Sequence, residues 1–379
     1  MEFLWQGFLS VTWQQVLMYA VGGVLIWPAV EKGFEPALLM PMGFGAILVN
    51  LPLSGVVNQF SPGVGETRGI IQWLFETGIE ASEAMPILLF IGIGAMIDFG
   101  PLLANPRLFL CGAAAQAGIF LTIILAALLG FDLKDAASIG IIGAADGPTS
   151  ILVSQVLHSN YVGAIAVAAY SYMALVPIIQ PFAVKLVTTR QERAMTMPYQ
   201  AQGVSRRTRI LFPILVSAVA GLVAPSSVAL VGFLMFGNLI RECGVLSHLS
   251  QTAQNELANL ITLLLGITIS FSMRAEQFVQ PATFLILILG LAAFVLDSVV
   301  GVLFVKVLNL LTPGSKINPM VGAAGISAFP MSSRVIEKLG QEANPQNHLL
   351  MHAAAANVSG QIASVVAGGV VLQYFANLG

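Results

Sequence analysis

Apolar residues run along this chain in long blocks, and the polar positions that separate them are few. No Asp, Glu, Lys or Arg occurs in Pro36–Gly65, Leu108–Phe131, Gly147–Val184, Ile210–Ile240 or Leu349–Gly379. A helix needs roughly 20 apolar residues to cross the hydrocarbon core of a bilayer, so these blocks predict membrane spans. The expected spans are Gln15–Val30, Ala37–Leu51, a helix from Glu76 to near Met96, Leu108–Gly130, Val162–Val187, Ile210–Val223, Ser227–Ile240, Leu257–Ser272 and Pro281–Leu311. Polar connectors lie between them: Glu31 to Glu35, a Gly/Pro-punctuated loop from Pro52 to Thr77, Asp98 to Arg107, and a turn at Phe131–Ala136. Trp5 and Trp13 suit headgroup depth at an interface.

Two blocks are interrupted in the same way. Ser138–Leu152 reads SIGIIGAADGPTSIL, and Ile317–Val335 reads INPMVGAAGISAFPMSSRV. In each, small residues lead to a proline (Pro148, Pro330) and then to hydroxyls (Thr149 and Ser150; Ser332 and Ser333). Proline removes a backbone donor and breaks a helix, so both blocks predict broken helices. Other landmarks repeat in order: Gly43–Asn50 is echoed by Gly232–Asn238, and Leu103–Phe109 by Phe278–Phe284. Between the halves, Lys185, Arg190, Arg193, Arg206, Arg207 and Arg209 face a single acid, Glu192. Excess positive charge marks a cytoplasmic loop.

The expected fold is therefore an all-α polytopic membrane protein of about 10–11 transmembrane segments. It comprises two inverted repeats, each with a broken helix or re-entrant hairpin meeting at the midplane. The divisions are 1–35 (interfacial segment and first helix), 36–187 (first repeat), 188–209 (basic linker) and 210–379 (second repeat). Roughly five crossings per half place the halves in opposite orientations.

Composition agrees: 57% of residues are hydrophobic and 9% charged, with a mean hydropathy of +0.87. No basic tract points to nucleic acid. Cys111 and Cys243 read as small packing residues. The four histidines are dispersed, and nucleotide-binding glycine motifs and Cys/His clusters are absent, so no nucleotide or tight metal cofactor is indicated. The N-terminal stretch lacks the basic region of a signal peptide, so the chain is expected to be retained whole.

Asp146 is the leading functional candidate, because an intramembrane carboxylate is costly and functional by default. With Thr149 and Ser150, and carbonyls freed by Gly147-Pro148, it forms a hard-oxygen set suited to an alkali cation or a proton. The second break carries no acid but offers Asn318 and Ser327, followed by Arg334, which could attract a carboxylate or compensate Asp146, or pair with Glu337. Tyr170 and Tyr172 lie on an otherwise apolar helix, where either suits an interface or a proton-donating role. Asn357 stands among alanines, Asp98 in a Gly/Pro loop, and Asp297 between apolar runs. Cation coupling alone would suit a stand-alone Na+/H+ antiporter or a Na+-coupled carboxylate symporter; a passive anchor leaves Asp146 unexplained.

Five segments together resemble the beta subunit of the sodium-pumping, biotin-dependent decarboxylases (oxaloacetate, methylmalonyl-CoA and glutaconyl-CoA). They are Pro41–Asn50, Gly92–Arg107, Gly112–Phe120, Ile139–Ile151 and Lys316–Val335. The resemblance implies a subunit that decarboxylates carboxybiotin, consumes a proton and exports Na+ across the cytoplasmic membrane of a bacterium or archaeon. It implies biotin carried on a partner, a carboxyltransferase alpha subunit, a biotin carrier, a small gamma or delta membrane subunit, and a homo-oligomer. It further places Na+ binding and coupling on Asp146, Tyr172, Asn318, Gly322, Ser327 and Arg334. With Thr149 and Asn357 added from the reading of the residues, the expected cation set is Asp146, Thr149, Asn318, Gly322, Ser327 and Asn357. Tyr172 and Arg334 are the expected reactive groups, Arg334 also contacting carboxybiotin. One departure is Ala355-Ala356 before Asn357, where family members carry Gly-Pro.

Overall fold

The structure is a computed structural model that describes residues 2–33, 35–61, 65–81, 83–197, 203–312 and 316–375. Residues 198–202 of the basic linker lie outside this set. Among the described residues the chain is helical apart from one antiparallel hairpin in the 52–77 loop, in which Asn58 faces Arg68. Helix ends follow local chemistry. Thr12 caps Trp13–Lys32 in a reciprocal box with Gln15, and Gly33 ends that helix in the left-handed conformation. Ser205 caps Arg206–Val223.

Six described helices are long and apolar enough to cross a membrane: Trp13–Lys32, Pro106–Leu128, Val162–Val187, Ser247–Met273, Pro281–Leu311 and Leu350–Phe375. A seventh span results if Ile70–Glu80 and Ala84–Met96, bent by 66°, count together. This is fewer than the 10–11 segments expected. The difference has a length cause. Pro36–Val49 and Val228–Glu242 have 14 and 15 residues, about 21–23 Å of helix at 1.5 Å per residue. Arg206–Val223 spends its first turn on Arg206, Arg207 and Arg209. The two interrupted blocks are also short, each divided into half-helices.

The outer surface is apolar: Leu222, Leu310 and Leu128 are 86%, 82% and 78% exposed. The interior instead holds polar side chains such as Asp146, Asn357 and Asp297, the pattern of a protein solvated by lipid. Helices approach closely at small residues. A methyl group at Gly94 would overlap the Leu234 carbonyl, and one at Gly237 the Ile91 carbonyl. Cys111 is buried in the core and Cys243 partly so; both are free thiols.

Each interrupted block is a hairpin. In the first, Leu133–Gly140 runs into a tight turn at Ile141–Ala144, and Gly147–Val156 runs back. Its base is closed by Asp135, which accepts from Ser159 Oγ (2.8 Å), Asn160 N (3.0 Å) and Asn160 Nδ2 (3.1 Å). In the second, Met320–Ala323 leads through a turn to Met331–Ala343. Its base is closed on the linker: Asn318 Nδ2 (3.2 Å) and Asn347 Nδ2 (2.8 Å) both donate to the Arg193 carbonyl. The hairpins meet at their tips, where Ser327 N donates to the Ala144 carbonyl at 3.0 Å.

The two bases lie on opposite sides of the helical layer. Val162–Val187 starts beside the first base and ends at the linker, where the second base sits. Two asparagines tie the layer together. Asn50 donates to the Met273 carbonyl and accepts from Ala275 N. Asn238, its echo, donates to the Ile97 carbonyl.

Candidate functional site

Asp146 sits where the first hairpin turns. Ala145 is left-handed (φ 53), a conformation that strains a residue with a Cβ. It turns the chain so that Asp146 becomes the N-cap of Gly147–Val156, with Pro148 in the first turn. The carboxylate is 4% exposed. One oxygen accepts from Thr149 Oγ1 (2.7 Å) and Ser364 Oγ (3.1 Å); the other has only a long contact from Thr149 N (3.4 Å). No lysine, arginine or histidine pairs with it among the described residues. A helix N-terminus favours a negative group, yet a buried charge without a counter-ion stays costly.

The second tip supplies neutral groups. Ser327 Oγ donates to the Gly360 carbonyl at 3.3 Å, and the Ser327 carbonyl accepts from Gln361 Nε2. Asn357 Nδ2 donates to the Ile326 carbonyl at 2.6 Å. Asn357, Gln361 and Ser364 are spaced four and three apart, so they share one face of Leu350–Phe375, and that face meets both tips. From the other side Gln116 Nε2 donates to the Gly325 carbonyl at 3.3 Å. These amides use their nitrogens to hold the tips, while Oδ1 of Asn357 and Oε1 of Gln361 and Gln116 are buried and unbonded. Spare buried oxygens near an uncompensated carboxylate are the donor chemistry a hard monovalent cation requires.

A cavity of about 400 Å³ reaches this point, lined by Asp146, Tyr170, Ser327, Gln361, Phe329 and Glu35 among others. A larger one, about 550 Å³, lies at the opposite end beside Arg274 and His158 and touches none of the expected site residues. Among the described residues no group of three or more His, Cys, Asp or Glu could hold a metal ion.

The structure thus brings together Asp146, Thr149, Ser327 and Asn357 and separates the rest. Asn318 spends its amide on the linker, donating to the Arg193 and Met195 carbonyls, and its oxygen on Met320 N. Gly322 is a packing residue: a methyl group there would overlap the Gly301 carbonyl. The Tyr172 hydroxyl donates to the Leu287 carbonyl and does not line the Asp146 cavity; Tyr170 does. Arg334 is exposed, and Glu337 does not pair with it, because Glu337 accepts from Leu349 N, Leu350 N and Gln341 and contacts His348. Asp98 accepts from Gly100 N (2.8 Å) and lies 3.9 Å from Arg209, a helix-end role. Asp297 is fully buried against Gly118 and Gly143, behind the first tip. Gln361, Ser364 and Gln116 were not anticipated, although the polar stripe in the last helix was there to be read.

The whole architecture has known relatives. The family profile described as Na+-transporting oxaloacetate decarboxylase beta subunit matches residues 14–375. The chain belongs to this family. It is 47% identical to the glutaconyl-CoA decarboxylase subunit beta of Acidaminococcus fermentans over 366 residues, covering 97% of this chain and 94% of that one. It is 47% identical to the methylmalonyl-CoA decarboxylase subunit beta of Veillonella parvula over 371 residues, covering 98% and 96%. Against the oxaloacetate decarboxylase beta chain 2 of Salmonella typhi identity is 43% over 413 residues, covering 95% of each. The protein is accordingly a membrane-bound beta subunit of the Na+-transporting decarboxylases, and the two-hairpin crossing is part of that subunit.

Proposed function

We propose that this beta subunit decarboxylates carboxybiotin presented by a partner and couples the reaction to Na+ export through Asp146. The observation that carries this reading is the crossing of two hairpin tips at a buried carboxylate that has hydroxyl donors but no counter-ion. A transported Na+ supplies the missing charge. When it leaves, a proton can take its place, so cation exit and proton entry are linked by one charge balance.

The reaction breaks the N–CO2 bond of carboxybiotin. The electron pair stays on the ureido nitrogen, which takes up a proton, and CO2 departs. Arg334 is proposed to receive the carboxylate, being exposed on the second hairpin without an ion pair among the described residues. Tyr172 serves as a proton relay in this scheme when its hydroxyl leaves the Leu287 carbonyl. Asn318 and Gly322 act by shaping the second hairpin rather than by touching Na+.

Inverted repeats are supported by the hairpin bases on opposite sides and by the reciprocal asparagines: Asn50 of the first half reaches past Met273, Asn238 of the second past Met96. With the basic linker on the cytoplasmic side, the second hairpin enters from the cytoplasm and the first from outside. The proposed partners are a carboxyltransferase alpha subunit, a biotin carrier and a small membrane subunit, with the beta subunit in a homo-oligomer.

The test is CO2 release from free carboxybiotin by the purified complex in vesicles, with radiolabelled Na+ followed in parallel. Na+-stimulated release with coupled Na+ movement is expected, and Asp146→Asn should abolish both. Full Na+-dependent turnover in Asp146→Asn would sink the reading. Na+ movement without carboxybiotin would favour the antiporter or symporter.

A further inference from the structure

Among the polar groups that line the Asp146 cavity from outside both hairpins, the phenol of Tyr170 stands out. Tyr170 projects into it from Val162–Val187 and is 2% exposed. Its hydroxyl has no hydrogen-bond partner among the described residues. Two residues along the same helix, the hydroxyl of Tyr172 donates to the Leu287 carbonyl. Folding has therefore satisfied one phenol and left the other open. A buried hydroxyl without a partner is disfavoured unless something else completes it.

The ring of Tyr170 is held in place. It lies against Gly147, where even a methyl group would overlap it. Gly147 follows Asp146 directly, so the phenol is fixed beside the turn that presents the carboxylate. The charged groups facing it are Asp146 and Glu35, both lining the same cavity and both acidic. No cation of the protein shares that space among the cavity-lining residues. The Asp146 oxygen with only the long Thr149 N contact has room for a further partner.

We propose that the Tyr170 hydroxyl is a ligand of the Asp146 cation site, contributing a neutral oxygen to Na+ when the site is filled. When Na+ leaves, the same O–H can turn to donate to the Asp146 carboxylate, so the group is satisfied in both states. The proposal rests on the reading of Asp146 as the Na+ site. It assigns the two tyrosines different tasks: Tyr170 binds the ion, and Tyr172, held on Pro281–Leu311 through the Leu287 carbonyl, is left to the proton relay.

The experiment uses the whole reconstituted complex with Tyr170→Phe, which keeps the ring and removes one oxygen. The Na+ concentration for half-maximal decarboxylation should rise about tenfold, with turnover at saturating Na+ largely kept. In detergent, the Na+-induced rise in Tm of the purified complex should need correspondingly more Na+. A purely structural tyrosine predicts the opposite: unchanged Na+ half-saturation and unchanged or higher Tm, since an unbonded polar atom has been deleted. That result would overturn the proposal. Asp146→Asn, measured alongside, separates the two levels. If it leaves Na+ dependence intact, the site itself is misassigned. If it abolishes Na+ dependence while Tyr170→Phe changes nothing, only the role of Tyr170 fails.

Discussion

The two hairpins are built alike and charged differently. The first presents Asp146 at its tip and closes its base on itself, through Asp135 and Asn160. The second presents Ser327, has no acid from Ile317 to Ser333, and closes its base on the linker through Asn318 and Asn347. A second carboxylate at the crossing would leave one charge unbalanced with a single monovalent ion, and none would leave nothing to bind it. In the proposed scheme, one charged tip and one neutral tip make a site that a single Na+ or a single proton would neutralise. The bases differ as well. A self-closed base leaves the first hairpin held by its own neighbours in sequence, whereas the second is held by the linker.

The largest effect is expected at the self-closed base. Asp135→Ala removes a buried acceptor of three hydrogen bonds and should lower stability by about 3 kcal/mol. Thermal unfolding of the purified subunit measures it; a loss no larger than that of a surface substitution would mean the first hairpin does not depend on its base. At the tip, Ser327→Ala should raise the Na+ half-saturation roughly tenfold, or ~1.4 kcal/mol, and leave Tm nearly unchanged. A loss of stability without a shift in Na+ dependence would make Ser327 a brace for Gly360 and nothing more.

The smallest effect concerns the linker. Burial alone would raise the Glu192 carboxyl, but hydrogen bonds and attraction from Lys306, with the Thr189 amide and hydroxyl, outweigh that and hold it below 4.5. A depressed carboxylate stabilises the fold above its ordinary pKa, and the contribution is lost as pH falls through the lowered value. Partly exposed pairs contribute little, so Glu192→Gln should cost under ~1 kcal/mol at neutral pH. Its Tm should fall less than that of the parent as pH drops below the ordinary carboxylate range. Parallel Tm curves would show the Lys306 pair to be inert.

Much of this site was legible beforehand because local rules wrote it. Asp146 stood out as the acid in an apolar block, and Gly147-Pro148 marked the helix start that the structure shows. The polytopic helical class followed from block length alone. What stayed hidden depends on distant neighbours. Ser364 donates to a carboxylate 218 residues earlier, and no local pattern states that pairing. By local pattern Tyr170 and Tyr172 look alike; the Leu287 carbonyl and the Asp146 cavity distinguish them. Asn318 resembled a ligand because amide oxygens can bind Na+, yet its partner was a linker carbonyl whose position no motif reveals. The β-hairpin at Asn58 escaped because its strands have four residues each, too short for an alternating pattern to register.

Leu350–Phe375 is the most deeply buried of the long described helices, and in the chain it follows both hairpins. Until it arrives, a nascent chain in the bilayer holds Asp146 without Ser364, and Ser327 without Gln361 to grip its carbonyl. Chain order therefore places the clasp of the crossing after both of the hairpins it holds. The contacts of Ser364 with Asp146 and of Gln361 with the Ser327 carbonyl can form only after that helix has joined the two hairpins.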